Sequence, residues 1–394
     1  MRTSRIASLV AVGAISLPFL TSSTSAVAAS PRAAPAIGTQ LAELEGSDTV
    51  VGDWFGSSVA ISGTTAVVGA VYHAKIAGRA YVFTRTGAGW KQVAELEGSD
   101  TAAGDGFGDA VGLAGTTIVV GAVGHAKSKF TGRAYVFTRT GAGWKQAAEL
   151  EVSDTVAGDG FGWSVAISGT TIVVGASGHA NGAGRAYVFT KTGAGWKQAA
   201  ELEGSDTVEY GDYSGFGFRV AISGTTIVVG AGTAVGYGAV YVFTKTGSGW
   251  KQAARLEGSA YDFIDPLAIS GTTIVVGAIY AVMAGRAYVF TRTGAGWKQA
   301  AELEGSDTVA RDEFGAVAIS GTTIVVGAPG HAKNAGRIYV FTKTGAGWKQ
   351  VAELEGSDTV AGDGFGGPVA MSGTTAVVGA PDPKGAGRAY VFEV

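Results

Sequence analysis

Apolar and polar residues follow one another in short runs along this chain, in a pattern that predicts β-strands and shows no helical periodicity. The stretch from Phe161 to Glu203 illustrates it. Residues 164–168 and 170–176 are two apolar runs joined by a Ser-Gly turn, which predicts a tight hairpin. Residues 185–190 and 196–203 form a third and a fourth run around a glycine-rich turn. The unit therefore contains four predicted strands.

This four-stranded unit recurs along the chain. The phrase S-G-T-T-[AI]-V-V-G-A, with Ala replacing Ser once, occurs seven times and places its glycine at positions 63, 115, 169, 224, 271, 321 and 373. A repeat of about 50 residues with four short strands is typical of propeller blades rather than of helical solenoids. We therefore predict an all-β fold, a seven-bladed β-propeller of four-stranded blades.

The two ends of the repeat array predict that the ring is closed. The last copy stops at its third strand, residues 390–394, and no fourth strand follows. Residues 39–46 match the fourth strand and precede the first complete copy. A linear solenoid would instead need polar caps at both ends. We expect the N-terminal strand to complete the last blade, so that the propeller spans residues 39–394.

The first 38 residues differ from the repeats. Residues 1–28 combine Arg2 and Arg5, an apolar stretch and an A-x-A site among small residues, which is the pattern of a secretory signal peptide. Residues 29–38 contain Pro31 and Pro35 and are predicted to be a linker. The sequence thus predicts a secreted, extracellular protein. The chain has no cysteine, so such a protein would fold without disulfides.

Composition and charge narrow the function classes. Hydrophobic residues make up 46% and charged residues 15%, as in a folded chain. The net charge is -3 and no basic cluster occurs, so nucleic acid is not an expected partner. After the signal segment, no apolar run is long enough to span a membrane. The chain also lacks a cysteine nucleophile, an H-E-x-x-H motif and a G-x-S-x-G motif. We expect a monomer without catalytic residues.

A family resemblance follows from two short motifs. Six copies carry a Phe-Gly pair ahead of V-V-G-A, and two copies continue as Gly-Ala-Pro from Gly327 and Gly379. The chain resembles secreted bacterial FG-GAP repeat proteins and is distantly similar to the seven-bladed head of integrin alpha subunits. The resemblance implies extracellular binding or adhesion, often with calcium in D-x-D-x-D-G loops. This chain departs from that pattern, because the corresponding loop is the turn S-G-T-T and the fifth copy has residues 263–266, F-I-D-P, in place of Phe-Gly.

Pairs of aspartates recur in the loop before most first strands, five or six residues apart. A calcium loop alternates its carboxylates at every second residue, so this spacing is a weak signal for calcium. We expect the aspartates to cap turns, or to pair with the arginine that opens most third strands. We therefore predict no metal and no cofactor, with loop-held calcium as the alternative. The pairs are Asp48 and Asp53, Asp100 and Asp105, Asp154 and Asp159, Asp206 and Asp212, Asp307 and Asp312, and Asp358 and Asp363.

Four histidines occupy matching places in the loop between the second and third strands. They are His73, His125, His179 and His331. Strands alternate in direction, so this loop and the aspartate loops share one predicted face of the ring. Each histidine belongs to a different blade, and a shared zinc site is not expected. The histidines are either solvated loop residues or contacts for an anionic or glycan ligand.

The fourth copy adds aromatic residues in a lengthened loop, namely Tyr210, Tyr213 and Phe218. Aromatic side chains in propeller loops can stack on sugars or anchor a protein partner, and they can equally compensate packing in a divergent repeat. With the four histidines, they are our ligand-binding candidates. We predict a secreted, non-catalytic binding or adhesion protein that recognises a carbohydrate or an extracellular protein through its polar loop face. The alternatives are a glycoside hydrolase that uses loop carboxylates and a cell-surface structural protein.

Overall fold

The seven copies of T-[AI]-V-V-G-A form the second strands of seven separate sheets. Apart from one threonine, every residue of these strands is buried, because neighbouring blades cover both faces of each strand. Each sheet has four antiparallel strands. The chain is thus an all-β, seven-bladed β-propeller, and the predicted fold class is confirmed.

The computed structural model describes residues 35–125, 130–207, 215–232, 238–258, 266–279 and 284–394. Residues Ala36–Val394 form one compact unit. The predicted signal peptide, residues 1–28, lies outside the described residues, as do residues 29–34 of the predicted linker. The described helices are three single turns, α1 (His73–Ile76), α2 (His179–Gly182) and α3 (His331–Asn334).

We number the blades in chain order, and each blade runs from its first strand near the ring axis to its fourth strand at the outer rim. Blade 1 contains β2 (Phe55–Ser62), β3 (Thr65–Ala70), β4 (Arg79–Thr86) and β5 (Gly89–Leu96). Blade 2 contains β6 (Phe107–Ala114), β7 (Thr117–Ala122), β8 (Arg133–Thr140) and β9 (Gly143–Leu150). Blade 3 contains β10 (Ser164–Ser168), β11 (Thr171–Ala176), β12 (Arg185–Thr192) and β13 (Gly195–Leu202). Blade 4 contains β14 (Arg219–Ser223), β15 (Thr226–Ala231), β16 (Ala239–Thr246) and β17 (Gly249–Glu257).

Blade 5 contains β18 (Leu267–Ser270), β19 (Thr273–Ala278), β20 (Arg286–Thr293) and β21 (Gly296–Leu303). Blade 6 contains β22 (Ala316–Ser320), β23 (Thr323–Ala328), β24 (Arg337–Thr344) and β25 (Gly347–Leu354). Blade 7 contains β26 (Val369–Ser372), β27 (Thr375–Ala380) and β28 (Arg388–Glu393), and its fourth strand is β1 (Gln40–Leu44).

The ring closes where the two ends of the propeller meet. Strand β1 pairs antiparallel with β28, with Ala42 opposite Val391. The backbone N–H of Gly38 donates to the carbonyl of Glu393 at 2.8 Å. Leu44 is only 2% exposed and joins a core cluster that includes residues of blades 1 and 7. The prediction that the N-terminal strand completes the last blade is confirmed.

The junctions between blades hold most of the apolar core. The phenylalanine of each described Phe-Gly pair is fully buried, and Phe161 packs edge-on against Phe189 at 6.2 Å between ring centroids. Its cluster also contains Val136 of the preceding blade. Gly132 lies against the backbone of Phe161 with a φ of +81°, and a Cβ there would overlap the Phe161 carbonyl oxygen. Glycine is required at this junction because the two backbones approach so closely.

The two ends of the ring differ in their loops. We call the end that carries the loops before the first strands and the loops between second and third strands the loop face. These loops touch, as in blade 1, where the N–H of Tyr72 donates to the carbonyl of Asp53 at 3.2 Å. The opposite face carries the S-G-T-T turns and the T-G-[AS]-G-W turns. There the Gly63 N–H of blade 1 donates to Ser372 Oγ of blade 7 at 2.9 Å, and the same bond recurs between four further pairs of neighbouring blades.

Candidate functional site

The loop face carries a repeated cluster of histidine, aspartate and tyrosine side chains. In blade 1, Nδ1 of His73 lies 2.9 Å from Oδ2 of Asp53, and Nε2 lies 3.6 Å from Oδ2 of Asp48. The hydroxyl of Tyr81 donates to Oδ1 of Asp48 at 2.7 Å. Burial, together with this hydrogen bond, raises the pKa of Tyr81 above its ordinary value, so the hydroxyl keeps its proton. The histidine is thus held between two carboxylates.

The same arrangement recurs in blades 2, 3 and 6, where Nδ1 of His125, His179 and His331 lies 3.2, 2.9 and 2.9 Å from an aspartate oxygen. The four histidine side chains are 12–14% exposed. The structure therefore places each predicted histidine in its own blade and joins it to aspartates that sequence reasoning treated separately. A role for these histidines in ligand contact stays a prediction.

The aspartates mainly stabilise loops, in two ways that the sequence predicted. Oδ2 of Asp53 accepts the N–H of Val50 at 2.8 Å and caps the turn, and the equivalent bond occurs in four other blades. Pairing with the arginine that opens the third strand occurs for Asp307 with Arg337 and for Asp358 with Arg388. In four other blades that arginine contacts glutamates of the fourth strand instead, namely Arg79, Arg133, Arg185 and Arg286.

Two of these clusters hold the donor types of a metal site. In the first, ligand atoms of Asp48, His73 and Glu95 lie within 4.8 Å of one another, and Asp154, His179 and Glu201 form the second. A cation in the first would compete with Arg79, whose Nε lies 2.9 Å from Glu95. The groups therefore fit a network of internal ion pairs better than a metal centre.

The aromatic candidates fall in two places. Tyr210 and Tyr213 lie outside the described residues. Phe218 is partly buried between blades 3 and 4, with its ring centroid 5.9 Å from that of Trp163. The guanidinium carbon of Arg219 lies 4.4 Å from the centroid of the Phe218 ring. Phe218 therefore contacts both an aromatic ring and a cation.

Where the first strands meet, a cavity of about 550 Å³ lies at the loop-face end of the ring axis. We call it the axial cavity. Residues from all seven blades line it, and its polar side chains include Asp109, Arg219 and Glu313, beside Trp163. Burial raises the pKa of Asp109 to about 6, and the nearby charge of Arg219 opposes that rise.

Sequence reasoning missed this cavity, although a signal for it is present. The residue after each described Phe-Gly pair lies at or near the start of the first strand. It changes from blade to blade within an otherwise repetitive chain, as Ser57, Asp109 and Trp163 show. Ring closure brings these changing positions together around one axis.

The family follows from a comparison with known repeat models. An FG-GAP repeat model matches residues 39–83, 90–137, 144–189, 196–243, 297–341 and 348–392. The chain belongs to the FG-GAP repeat family. The long stretch between matches, residues 244–296, contains the copy in which the Phe-Gly pair is missing. No curated protein matches the chain in sequence.

Two solved structures are similar in fold to this FG-GAP protein. The crystal structure of Saccharomyces cerevisiae Sqt1 aligns with a TM-score of 0.52 at 11% identity, over 91% of this chain and 100% of that one. A chain from the crystal structure of the Mitotic Checkpoint Complex aligns with a TM-score of 0.59, also at 11% identity, over 96% of this chain and 99% of that one. At such identities the likeness concerns the fold alone.

Proposed function

We propose that this FG-GAP protein is an extracellular, non-catalytic binding or adhesion protein that recognises a carbohydrate or an extracellular protein through its loop face. One observation carries the proposal. The loop face gathers the residues that differ between blades, including the axial cavity, while the opposite face repeats the same turns. A surface that departs from the repeat is where a propeller can acquire specificity.

The hydrogen bonds of the opposite face support the proposal that its residues serve the fold, whereas the loop face serves recognition. In each of the six blades that contain the T-G-[AS]-G-W turn, the threonine hydroxyl donates to the glycine carbonyl three residues later at 2.9 Å. The S-G-T-T turns of neighbouring blades are joined by serine-to-glycine hydrogen bonds, as between Ser62 and Gly115. The first set of bonds stabilises the turns within each blade, and the second set joins neighbouring blades.

The proposed location rests on the signal-peptide pattern of residues 1–28. Along the described part of the chain, no helix has the length and hydropathy to cross a membrane. The FG-GAP family membership supports an extracellular role for the propeller.

A glycoside hydrolase is the second candidate, favoured by one feature of the axial cavity. Asp109 and Glu313 bring two carboxyl groups into the same space, and a pKa of about 6 suits Asp109 for general acid chemistry. The described loop aspartates favour the non-catalytic proposal, because most of them cap turns or pair with histidine, arginine or tyrosine.

The test is a binding and turnover screen on residues 29–394. The protein is applied to a glycan array and to a panel of extracellular matrix proteins, and glycan hits are incubated with it and analysed for new reducing ends. We expect saturable binding without product. Product formation would select the hydrolase. Retention on washed cells with no hit in either panel would select a structural role.

A further inference from the structure

The seven blades provide an internal comparison of equivalent positions. Six blades share the Phe-Gly pair, but the residues that follow the pair differ from blade to blade. The first residue after the pair is Ser57, Asp109, Trp163, Phe218 or Gly367 in blades 1, 2, 3, 4 and 7. Because propeller blades form around each of these residues, the fold does not require any one of them. Asp109 and Trp163 both line the axial cavity.

A strained residue lines the same cavity. Glu313 has a φ of +56°, whereas the equivalent positions in blades 2, 3 and 7 are glycines, Gly106, Gly160 and Gly364, with φ of +66°, +63° and +66°. A non-glycine residue in this left-handed region is strained by its Cβ, and such strain concentrates at functional sites. Trp54 occupies the equivalent position of blade 1 with the same φ of +56°, so the fold accepts a non-glycine residue there. Its place in the cavity lining, rather than the strain, makes Glu313 a candidate ligand contact.

Asp109 supplies a second polar group. Its carboxylate is partly exposed to the cavity and accepts no hydrogen bond from any residue in the described ranges. Its oxygens can therefore accept hydrogen bonds from the hydroxyl groups of a ligand.

Trp163 supplies an apolar surface in the lining of the same cavity. It is partly exposed to the cavity, and Phe218 packs against it at 5.9 Å. The Phe218 ring is itself covered by Arg219 at 4.4 Å. The contact with Phe218 restricts the position of the indole. A fixed aromatic ring next to hydrogen-bonding groups is the arrangement that suits a sugar, which has both apolar C–H faces and hydroxyl edges.

The charged side chains and the volume of the axial cavity restrict the class of ligand it can bind. Asp109 and Glu313 disfavour an anion, and the guanidinium of Arg219, which also lines the cavity, disfavours a cation. A volume of about 550 Å³ lies within the range of small-molecule sites. We propose that the axial cavity binds a neutral saccharide unit, which stacks on Trp163 and hydrogen-bonds through its hydroxyls to Asp109 and Glu313. This inference rests on the proposed function and names its site and ligand class.

The experiment compares blade-matched variants on an array of neutral, acidic and amino glycans. Trp163→Ser and Asp109→Ser each introduce the residue that blade 1 has at the same position. The control is Trp54→Gly, because Trp54 lies on the loop face against Tyr72, outside the cavity lining, at a position where other blades have glycine. Thermal melts verify that each variant is folded.

We expect wild type and Trp54→Gly to bind the same neutral glycan, and the two cavity variants to bind it at least tenfold more weakly. Loss of binding in Trp54→Gly with full binding in both cavity variants would overturn the axial site and leave loop-face recognition standing. Binding confined to acidic or amino glycans would overturn the ligand class. If neither glycans nor matrix proteins bind, both the inference and the proposed function fail.

Discussion

The blade junctions and the axial cavity are built from the same short segment of each blade, yet they differ in what the repeat preserves. Phe161 is fully buried at a junction, and so is the phenylalanine of every other described Phe-Gly pair. Trp163, two residues further on, faces the cavity and has no tryptophan equivalent. The comparison separates side chains that the fold needs from side chains that the fold leaves free. Specificity can develop at the second kind without loss of stability.

Opening the ring should have the largest effect on stability. Deleting residues 39–46 removes β1, leaves β28 with an unpaired edge and exposes the site of Leu44. We expect a loss of more than about 5 kcal/mol, since emptying one buried leucine site alone costs about 2–5 kcal/mol. Chemical denaturation and light scattering would measure the loss and the aggregation that follows from the free strand edge. Unchanged stability and solubility would contradict a closed ring.

Removing the buried aromatic ring from one blade junction should have the second largest effect on stability. Phe161→Ala removes a fully buried ring and should lower the free energy of unfolding by about 3–5 kcal/mol. Trp163→Ser, two residues away, should change it by less than about 1 kcal/mol, because the indole is partly exposed. Urea denaturation of both variants measures the two changes in the free energy of unfolding. Similar losses would remove the distinction between junction and cavity.

Neutralising the cavity carboxyl should raise stability at neutral pH. The folded-state pKa of Asp109, about 6, lies above the ordinary aspartate value of 3.8, so the folded protein holds this proton more tightly than the unfolded chain. Wild-type stability therefore falls as the pH rises from about 4 through 6. Asp109→Asn should be more stable at pH 7 by about 1–2 kcal/mol, a value discounted for partial exposure of the carboxyl.

Thermal melts of wild type and Asp109→Asn between pH 4 and 8 would measure that difference. The two proteins should converge as the pH falls toward 4, since the aspartate is then protonated in both states. A difference that stays constant across this range would show that Asp109 does not titrate as its burial, with Arg219 opposing, requires.

Relieving strain in the cavity should give the smallest effect. Glu313→Gly places at this left-handed position the residue that three other blades use. We expect stability to rise by about 0.5–1 kcal/mol, because the Cβ strain exceeds the entropy that glycine adds to the unfolded chain. Differential scanning calorimetry would detect the shift. A lower melting temperature would show that Glu313 serves the fold.

The fold could be predicted because its determinants are local and repeated. The S-G-T-T turns define the blades, and the match of residues 39–46 to a fourth strand revealed the closure that the pairing of Ala42 with Val391 shows. The candidate site was harder to predict from the sequence, because its contacts join residues that are far apart along the chain. His73 and Asp53 are 20 residues apart, and no spacing rule connects them.

The axial cavity was harder still, since its walls come from all seven blades and exist only after the ring closes. Phe218 was identified as an added aromatic, but its neighbours Trp163 and Arg219 were not. Comparing the blades position by position would have found them, because departures from a repeat identify sites that the fold does not constrain.

A crystal structure of residues 29–394 bound to the best neutral glycan of the array would test the central claim most directly. We expect density for a sugar ring in the axial cavity, stacked on Trp163 with a hydroxyl within hydrogen-bonding distance of Asp109. Density on the outer rim or on the face of the S-G-T-T turns, with the axial cavity occupied only by solvent, would contradict it.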